Sequence, residues 1–146
     1  MAKTDLSTFK ISADRHSASG LVGATTVTVT VSDGGVFDVQ DIGSTRVLRA
    51  SANDGSSLSP QFTFANAEGE PAGPKKVALH YISCNFNFID YTGIRGSSGR
   101  VGEGDDTARD VTIEVTDNDG FDTISINAGR PMEALHLISI TIDPVG

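Results

Sequence analysis

The clearest pattern in the chain is an alternation of apolar and hydroxyl side chains in ATTVTVTVS, residues 24–32. The valines of this stretch fall on one face of an extended chain, and the threonines fall on the other. The pattern therefore predicts a half-buried strand. Its outward face carries Thr26, Thr28 and Thr30, which would suit either a wetted partner surface or plain solvent.

Similar segments recur between Gly, Asn, Asp and Pro turn signals, and they predict further strands. The segments are VFDVQDI (36–42), TRVLRAS (45–51), LSPQFTFAN (58–66), KVALHYISCNFNFI (76–89), VTIEV (111–115), the stretch after TDNDG, and ALHLISITI (134–142). We expect residues 76–89 to form one long strand. In the last strand, we expect Ile138, Ile140 and Ile142 to point inward.

The spacing of these strands favours an all-β fold, an antiparallel β-sandwich or jelly roll of about eight or nine strands. The chain has 146 residues, which suits a single domain over 1–146. Residues 1–23 carry few apolar anchors, so they are interpreted as a possible N-terminal arm that lies on a neighbouring molecule. Residues 91–110 are glycine-rich and lack a period, which predicts a long loop.

Composition excludes several classes of function. The formal net charge is −8, whereas nucleic-acid binding needs a basic surface. No segment is apolar over the length of a membrane span, and the opening MAKTDLSTFK lacks the pattern of a secretory signal. The chain has one cysteine, Cys84, so it forms no intrachain disulfide, and its place in an apolar run predicts a core thiol.

The sequence contains no recognisable catalytic arrangement, so we expect a protein that is not an enzyme. There is no G-x-S-x-G elbow, and the glycine-rich stretch lacks the lysine of a phosphate-binding loop. The three histidines, His16, His80 and His136, make no H-x-H or H-x-x-x-H pair that would indicate zinc.

Two acidic groups leave a metal site open. Asp117, Asp119 and Asp122 crowd into TDNDGFD, and Asp105 and Asp106 lie in a second acidic stretch upstream. Closely spaced carboxylates supply the oxygen ligands that Ca²⁺ takes, and both groups would serve one site if they met at one end of the sandwich. The alternative is a hairpin turn without an ion, because N-D-G between alternating strands is a strong hairpin signal.

TDNDGFD, followed by a β-branched strand ending Ile-Asn, resembles the calcium loop of small bacterial fucose-binding lectins. The resemblance implies that Asp117, Asp119 and Asp122 hold calcium, which in turn holds sugar hydroxyls. Phe121 departs from the pattern, since the lectins have a ligating Asn at that place. The acidic loop and last strand are also similar, more loosely, to the end of calcium-dependent xylan-binding modules.

Two functions remain from the sequence. The first is a structural or surface-assembly subunit, for example a capsid-decorating protein of a virion, which acts through self-association or contacts in a larger protein assembly. The alternative is a calcium-assisted carbohydrate-binding module or lectin whose partner is a glycan. The all-β pattern and the absence of catalytic motifs favour the first, and the acidic stretches favour the second.

Overall fold

A computed structural model of the chain describes residues 2–23, 25–31, 35–52, 60–65, 76–83, 87–93, 98–103, 109–116, 121–128 and 134–142. These residues form thirteen β-strands and one short 3₁₀ helix, η1 (Leu6–Thr8). The strands are β1 (Ala2–Asp5), β2 (Lys10–Ile11), β3 (Ser17–Val22), β4 (Thr25–Thr30), β5 (Gly35–Ile42), β6 (Thr45–Ala52), β7 (Gln61–Ala65), β8 (Lys76–Ser83), β9 (Asn87–Gly93), β10 (Ser98–Glu103), β11 (Arg109–Thr116), β12 (Phe121–Ala128) and β13 (Ala134–Ile142).

The strands make two antiparallel sheets. The six-stranded sheet has the order β11-β8-β13-β6-β5, and β1 also pairs with β13. The seven-stranded sheet has the order β10-β9-β12-β7-β4-β3-β2. Side chains from the inner faces of both sheets form one hydrophobic cluster, which includes Phe37, Leu79, Phe62 and Ile124. The predicted all-β antiparallel sandwich is therefore confirmed, with more strands than the eight or nine expected.

The N-terminal segment belongs to the sandwich of its own chain. β1 pairs with β13 in one sheet, while β2 and β3 join the edge of the other. Between them, Leu6 and Phe9 are buried in the shared core. The interpretation of residues 1–23 as an arm missed these anchors because they are few and separated by polar residues.

Residues 76–89 do not form the single strand that their composition suggested. β8 ends at Ser83 in the six-stranded sheet, and β9 begins at Asn87 in the seven-stranded sheet. The core side of β8 carries Val77, Leu79 and Tyr81, whereas Ala78 and His80 on the other side are half-buried. Cys84 lies outside the described residues, so its predicted place in the core stays a prediction.

The loop predicted over residues 91–110 is also wrong. β10 pairs antiparallel with β9 over six residue pairs, from Ser98 opposite Thr92 to Glu103 opposite Asn87. Glycines replaced the alternating apolar residues that would have marked this strand. An edge strand needs little apolar surface of its own when its neighbour supplies the core contact.

The last strand contains an irregularity that changes which residues face the core. The pairing of β13 with β8 shifts register between Leu137 and Ser139. A β-bulge of this kind places one extra residue in one strand and reverses its alternation. As a result Leu135 and Leu137 are buried before the bulge, Ile140 and Ile142 are buried after it, and Ile138, predicted inward, is only half-buried.

The strands on either side of TDNDG do not pair with each other. β11 pairs with β8 in the six-stranded sheet, while β12 pairs with β7 and β9 in the seven-stranded sheet. The hairpin predicted from N-D-G, in which the two flanking strands would pair with each other, is therefore wrong. N-D-G marks a place where the chain can turn, but the local signal does not say which strand will be the neighbour.

The burial of Leu6 gives a direct test of the N-terminal segment. We expect Leu6→Ala to lower the free energy of unfolding by about 2–5 kcal/mol, because the side chain is fully buried and its loss leaves a cavity. Leu21 is the matched control, since it is 63% exposed and its replacement by Ala should change stability by less than about 0.5 kcal/mol. Urea denaturation of both variants measures the difference, and equal midpoints would contradict an integrated N-terminal segment.

Candidate functional site

The outer face of the seven-stranded sheet carries a row of hydroxyl side chains that crosses six strands. On β4 the inward Val27 and Val29 are buried, so the alternating Thr28 points outward. Strand register then aligns the other hydroxyl residues with Thr28. From β3 to β10 the row is Ser19, Thr28, Thr63, Thr123, Thr92 and Ser98. With strands about 4.8 Å apart, the row extends for roughly 24 Å.

A second polar row runs beside the first, one pleat along each strand. In the same strand order it contains Ser17, Thr30, Gln61, Ser125, Asp90 and Arg100. At its β9–β10 end the Arg100 guanidinium donates to Asp90 through Nε to Oδ1 at 2.6 Å and Nη2 to Oδ2 at 3.1 Å. This hydrogen-bonded pair raises the pKa of Arg100 above its ordinary value and fixes the geometry of both planar groups.

Together the two rows, which we call the hydroxyl face, form a broad polar surface. Hydroxyl and amide groups both donate and accept hydrogen bonds, the carboxylate accepts them, and the guanidinium donates them. The backbone beneath is held by the ladder of a seven-stranded sheet, so the backbone positions that carry these groups are fixed before a ligand arrives. The arrangement suits an extended ligand that presents many hydroxyl groups.

The predicted calcium ligands fall largely outside the described residues. Asp105, Asp106, Asp117 and Asp119 are not described, and only the backbone of Asp122 is, in β12. The order along the chain places both stretches next to β11. Asp105 and Asp106 lie in residues 104–108, which precede β11, and Asp117 and Asp119 lie in residues 117–120, which follow it. β11 is eight residues long, which separates its ends by roughly 23 Å. The two acidic stretches thus adjoin opposite ends of β11 in the chain, and a calcium site shared between them stays a prediction.

Phe121, the departure from the lectin pattern, has a structural role. Its side chain is fully buried, and its ring meets Tyr91 edge to face with centroids 5.2 Å apart. Asp117, Asp119 and Asp122 as calcium ligands stay a prediction. Among the described residues, no group of three or more His, Cys, Asp or Glu side chains could hold a metal ion.

A different polar cluster, the Asp38 cluster, lies on the outer face of the six-stranded sheet. Register aligns Asp38 on β5 with Arg49 on β6 and His136 on β13. Gln40 Nε2 donates to Asp38 Oδ2 at 2.7 Å, and the guanidinium groups of Arg15 and Arg49 lie 4.0 and 3.9 Å from the same oxygen. The contacts of Arg15 and Arg49 with Asp38 are therefore ion pairs, because both distances are too long for hydrogen bonds.

Asp38 Oδ1 has no hydrogen-bond donor among the described residues, although it is enclosed by the protein. A buried acceptor without a donor costs a fold about 1–3 kcal/mol. Burial lowers the pKa of His136 below its ordinary value, Arg49 lowers it further, and Asp38 opposes both. His136 is therefore neutral at pH 7, and one ring nitrogen can donate while the other accepts.

Comparison with known proteins places the fold. No protein-family model matches the sequence, and no curated protein matches it. Among solved structures, a glutamate-to-arginine mutant of a family 29 carbohydrate-binding module matches with TM-score 0.52 and 10% identity over 97% of this chain and 92% of that one. A tyrosine mutant from the same family has TM-score 0.50 and 11% identity over 96% and 91%. A family 29 module from Piromyces equi has TM-score 0.48 and 15% identity over 79% and 91%. The two likenesses at TM-scores of 0.52 and 0.50 establish the β-sandwich fold and no more.

The comparison corrects the first function favoured from the sequence. The two structures matched at TM-scores of 0.52 and 0.50 are both carbohydrate-binding modules, so a structural subunit that decorates a capsid or virion is wrong, and the location inferred from it has no support. The error arose because strand alternation and missing catalytic motifs are common to both kinds of protein. In the part of the chain that the structure describes, no helix is long and apolar enough to cross a membrane.

The lowered pKa of His136 predicts how stability depends on pH. An unfolded His takes up its proton near pH 6.5, whereas folded His136 resists protonation until lower pH. Stability is therefore lost as the pH falls below 6.5, and the loss is complete below the folded pKa. We expect His136→Gln to flatten this part of the profile, with wild type losing more Tm than the variant between about pH 7.5 and pH 5. Parallel Tm profiles for the two proteins would contradict the burial of a neutral imidazole.

Proposed function

We propose that this protein is a non-catalytic carbohydrate-binding module that binds a glycan across its hydroxyl face. The observation that carries the proposal is the register alignment of the two polar rows across six strands. A glycan presents repeated hydroxyl groups along its length, and each can pair with donors and acceptors spaced along such a row. Direct hydrogen bonds to rigidly placed polar groups are what fix the orientation of a ligand.

The fold likeness supports the same conclusion. Related variants of the family 29 module, in which a tyrosine, an aspartate or a lysine was replaced, were solved to probe ligand recognition. The side chains replaced in that protein to probe ligand recognition thus include an acidic, a basic and a hydroxyl-bearing one. On the hydroxyl face of this chain, Asp90, Arg100 and Gln61 offer carboxylate, guanidinium and amide groups for ligand recognition.

The net charge of the chain favours neutral over acidic glycans as ligands. The chain has a formal charge of −8, so an acidic polysaccharide approaches against repulsion, more strongly at low ionic strength. A neutral glycan meets no such barrier. We therefore expect neutral polysaccharides to be preferred over uronic-acid polymers.

Blocking the centre of the hydroxyl face tests the proposal. Thr63 is exposed and lies between Thr28 and Thr123, so the longer side chain of Thr63→Arg would cover its neighbours without disturbing the core. We expect this variant to lose at least about tenfold in affinity for glycans that bind the wild type, measured by affinity gels and calorimetry with neutral and acidic polysaccharides. The matched control is Thr112→Arg, which makes the same change at an exposed position of the opposite sheet.

Three results would count against this function. They are the absence of binding to any glycan on a broad array, equal affinities for Thr63→Arg and Thr112→Arg, and a preference for acidic polymers. Circular dichroism and thermal denaturation of both variants establish that a loss of binding is not a loss of fold.

The same titrations test the calcium prediction. If Asp117, Asp119 and Asp122 hold an ion that supports binding, EDTA should weaken glycan affinity and lower Tm, and added Ca²⁺ should restore both. If affinity and Tm are the same in both buffers, the hydroxyl face acts without the ion and the calcium prediction is wrong.

A further inference from the structure

The Asp38 cluster has unmet hydrogen-bonding capacity that the hydroxyl face does not share. Asp38 Oδ1 lacks a hydrogen-bond donor. The Arg49 guanidinium forms an ion pair with Asp38, with Nη1 3.9 Å from Oδ2, and makes no hydrogen bond with a described residue. His136 beside it makes no hydrogen bond with any described residue. The Asp38 carboxylate accepts hydrogen bonds, the Arg49 guanidinium donates them, and the His136 imidazole does both. These three groups lie in a line across three adjacent strands, and no hydrogen bond joins them.

From this arrangement we propose a second ligand site, centred on Asp38, Arg49 and His136, that takes two adjacent hydroxyl groups of a neutral sugar ring. One hydroxyl donates to Asp38 Oδ1 and accepts from the Arg49 guanidinium. The neighbouring hydroxyl bonds to the His136 imidazole. The site lies on the outer face of the six-stranded sheet, opposite the hydroxyl face, so it does not depend on the function proposed above.

The carboxylate is held in place for this contact. Gln40 Nε2 donates to Asp38 Oδ2, which leaves Oδ1 as the oxygen that needs a donor. On the far side of β5, Arg15 Nε donates to the carbonyl of Phe37 at 3.1 Å, and the Phe37 amide donates to the carbonyl of Arg15 at 2.8 Å. These bonds fix the strand that carries Asp38.

Because Asp38 Oδ1 is enclosed, the proposed binding requires a neighbouring side chain to move, and we assign this movement to Arg49. Its side chain is 36% exposed, and turning it away from Asp38 breaks no hydrogen bond among the described residues. The rotated guanidinium still projects from the same face, where it can donate to the incoming hydroxyl. His136 on β13 stays half-buried beside it and gives the site its third contact.

Neutrality of His136 suits an uncharged ligand. Burial and Arg49 keep the imidazole unprotonated at pH 7, so the ring offers one acceptor and one donor to a hydroxyl. Protonation would remove the acceptor and place a second cation beside Arg49. Binding at this site should therefore weaken once the pH falls below the lowered pKa of folded His136.

Nuclear magnetic resonance tests the site residue by residue. The Arg49 Nε–H signal and the His136 ring signals are followed while D-glucose, D-mannose and D-galactose are each added to tens of millimolar. We expect a saturable shift of both sets of signals with at least one sugar. Arg49→Leu should weaken that binding at least about tenfold. The control is Arg46→Leu on the same strand, because Arg46 is exposed and pairs with Asp41 instead.

The blocked variant Thr63→Arg separates this site from the hydroxyl face. Persistence of the His136 shift in Thr63→Arg supports a second site, even if no glycan binds the hydroxyl face. The proposal is overturned if none of the three sugars gives a saturable shift, if Arg49→Leu binds as the wild type does, or if Thr63→Arg abolishes the His136 shift. A well-dispersed spectrum of Arg49→Leu verifies that the variant is folded.

Discussion

The pairing of β13 with three other strands is the constraint on which the architecture depends. β8 pairs along one edge of β13, while β6 and β1 follow one another along the other edge. The bulge near Ile138 lets both halves of the strand face the core, with Leu135 and Leu137 before it and Ile140 and Ile142 after it. The same strand binds the N-terminal segment to the sandwich, and it directs His136 outward, in line with Arg49 and Asp38. The packing of the core and the alignment of the Asp38 cluster thus both depend on β13.

The two outer faces differ in how well their polar groups are satisfied. On the hydroxyl face, Arg100 and Asp90 hold each other through two hydrogen bonds, so that end of the surface is rigid before binding. In the Asp38 cluster the corresponding guanidinium distances are 3.9 and 4.0 Å, and one carboxylate oxygen has no donor. The first arrangement favours recognition without rearrangement, whereas the second requires Arg49 to move. The two faces are therefore expected to differ in selectivity even if both bind sugars.

Local sequence patterns predicted the features that depend on neighbouring residues alone, namely which segments form strands and which face of a strand points inward. The alternation of Val and Thr in β4 predicted a strand with the correct inward face, and it placed the threonines on the outward face. Patterns that depend on distant partners were not predictable. The N-D-G signal near Asn118 could not reveal that β11 and β12 join different sheets, and the apolar run through Cys84 could not reveal a change of sheet. The bulge at Ile138 and the rows that align Thr28 with Thr63 and Thr123 arise from register between strands far apart in the chain.

Hydrogen bonding alone sets the scale of affinity that such a surface can reach. The two rows contain no aromatic side chain, so a sugar gains little from stacking there. A net hydrogen bond contributes about 1 kcal/mol, while even a millimolar dissociation constant requires about 4 kcal/mol. A single sugar that meets only two or three neutral side chains of these rows would therefore bind more weakly than that, because hydrogen bonds between neutral groups contribute less than those to charged groups. An extended glycan that engages residues from several strands at once can accumulate enough contacts, and this explains why the length of the rows matters more than any one residue in them.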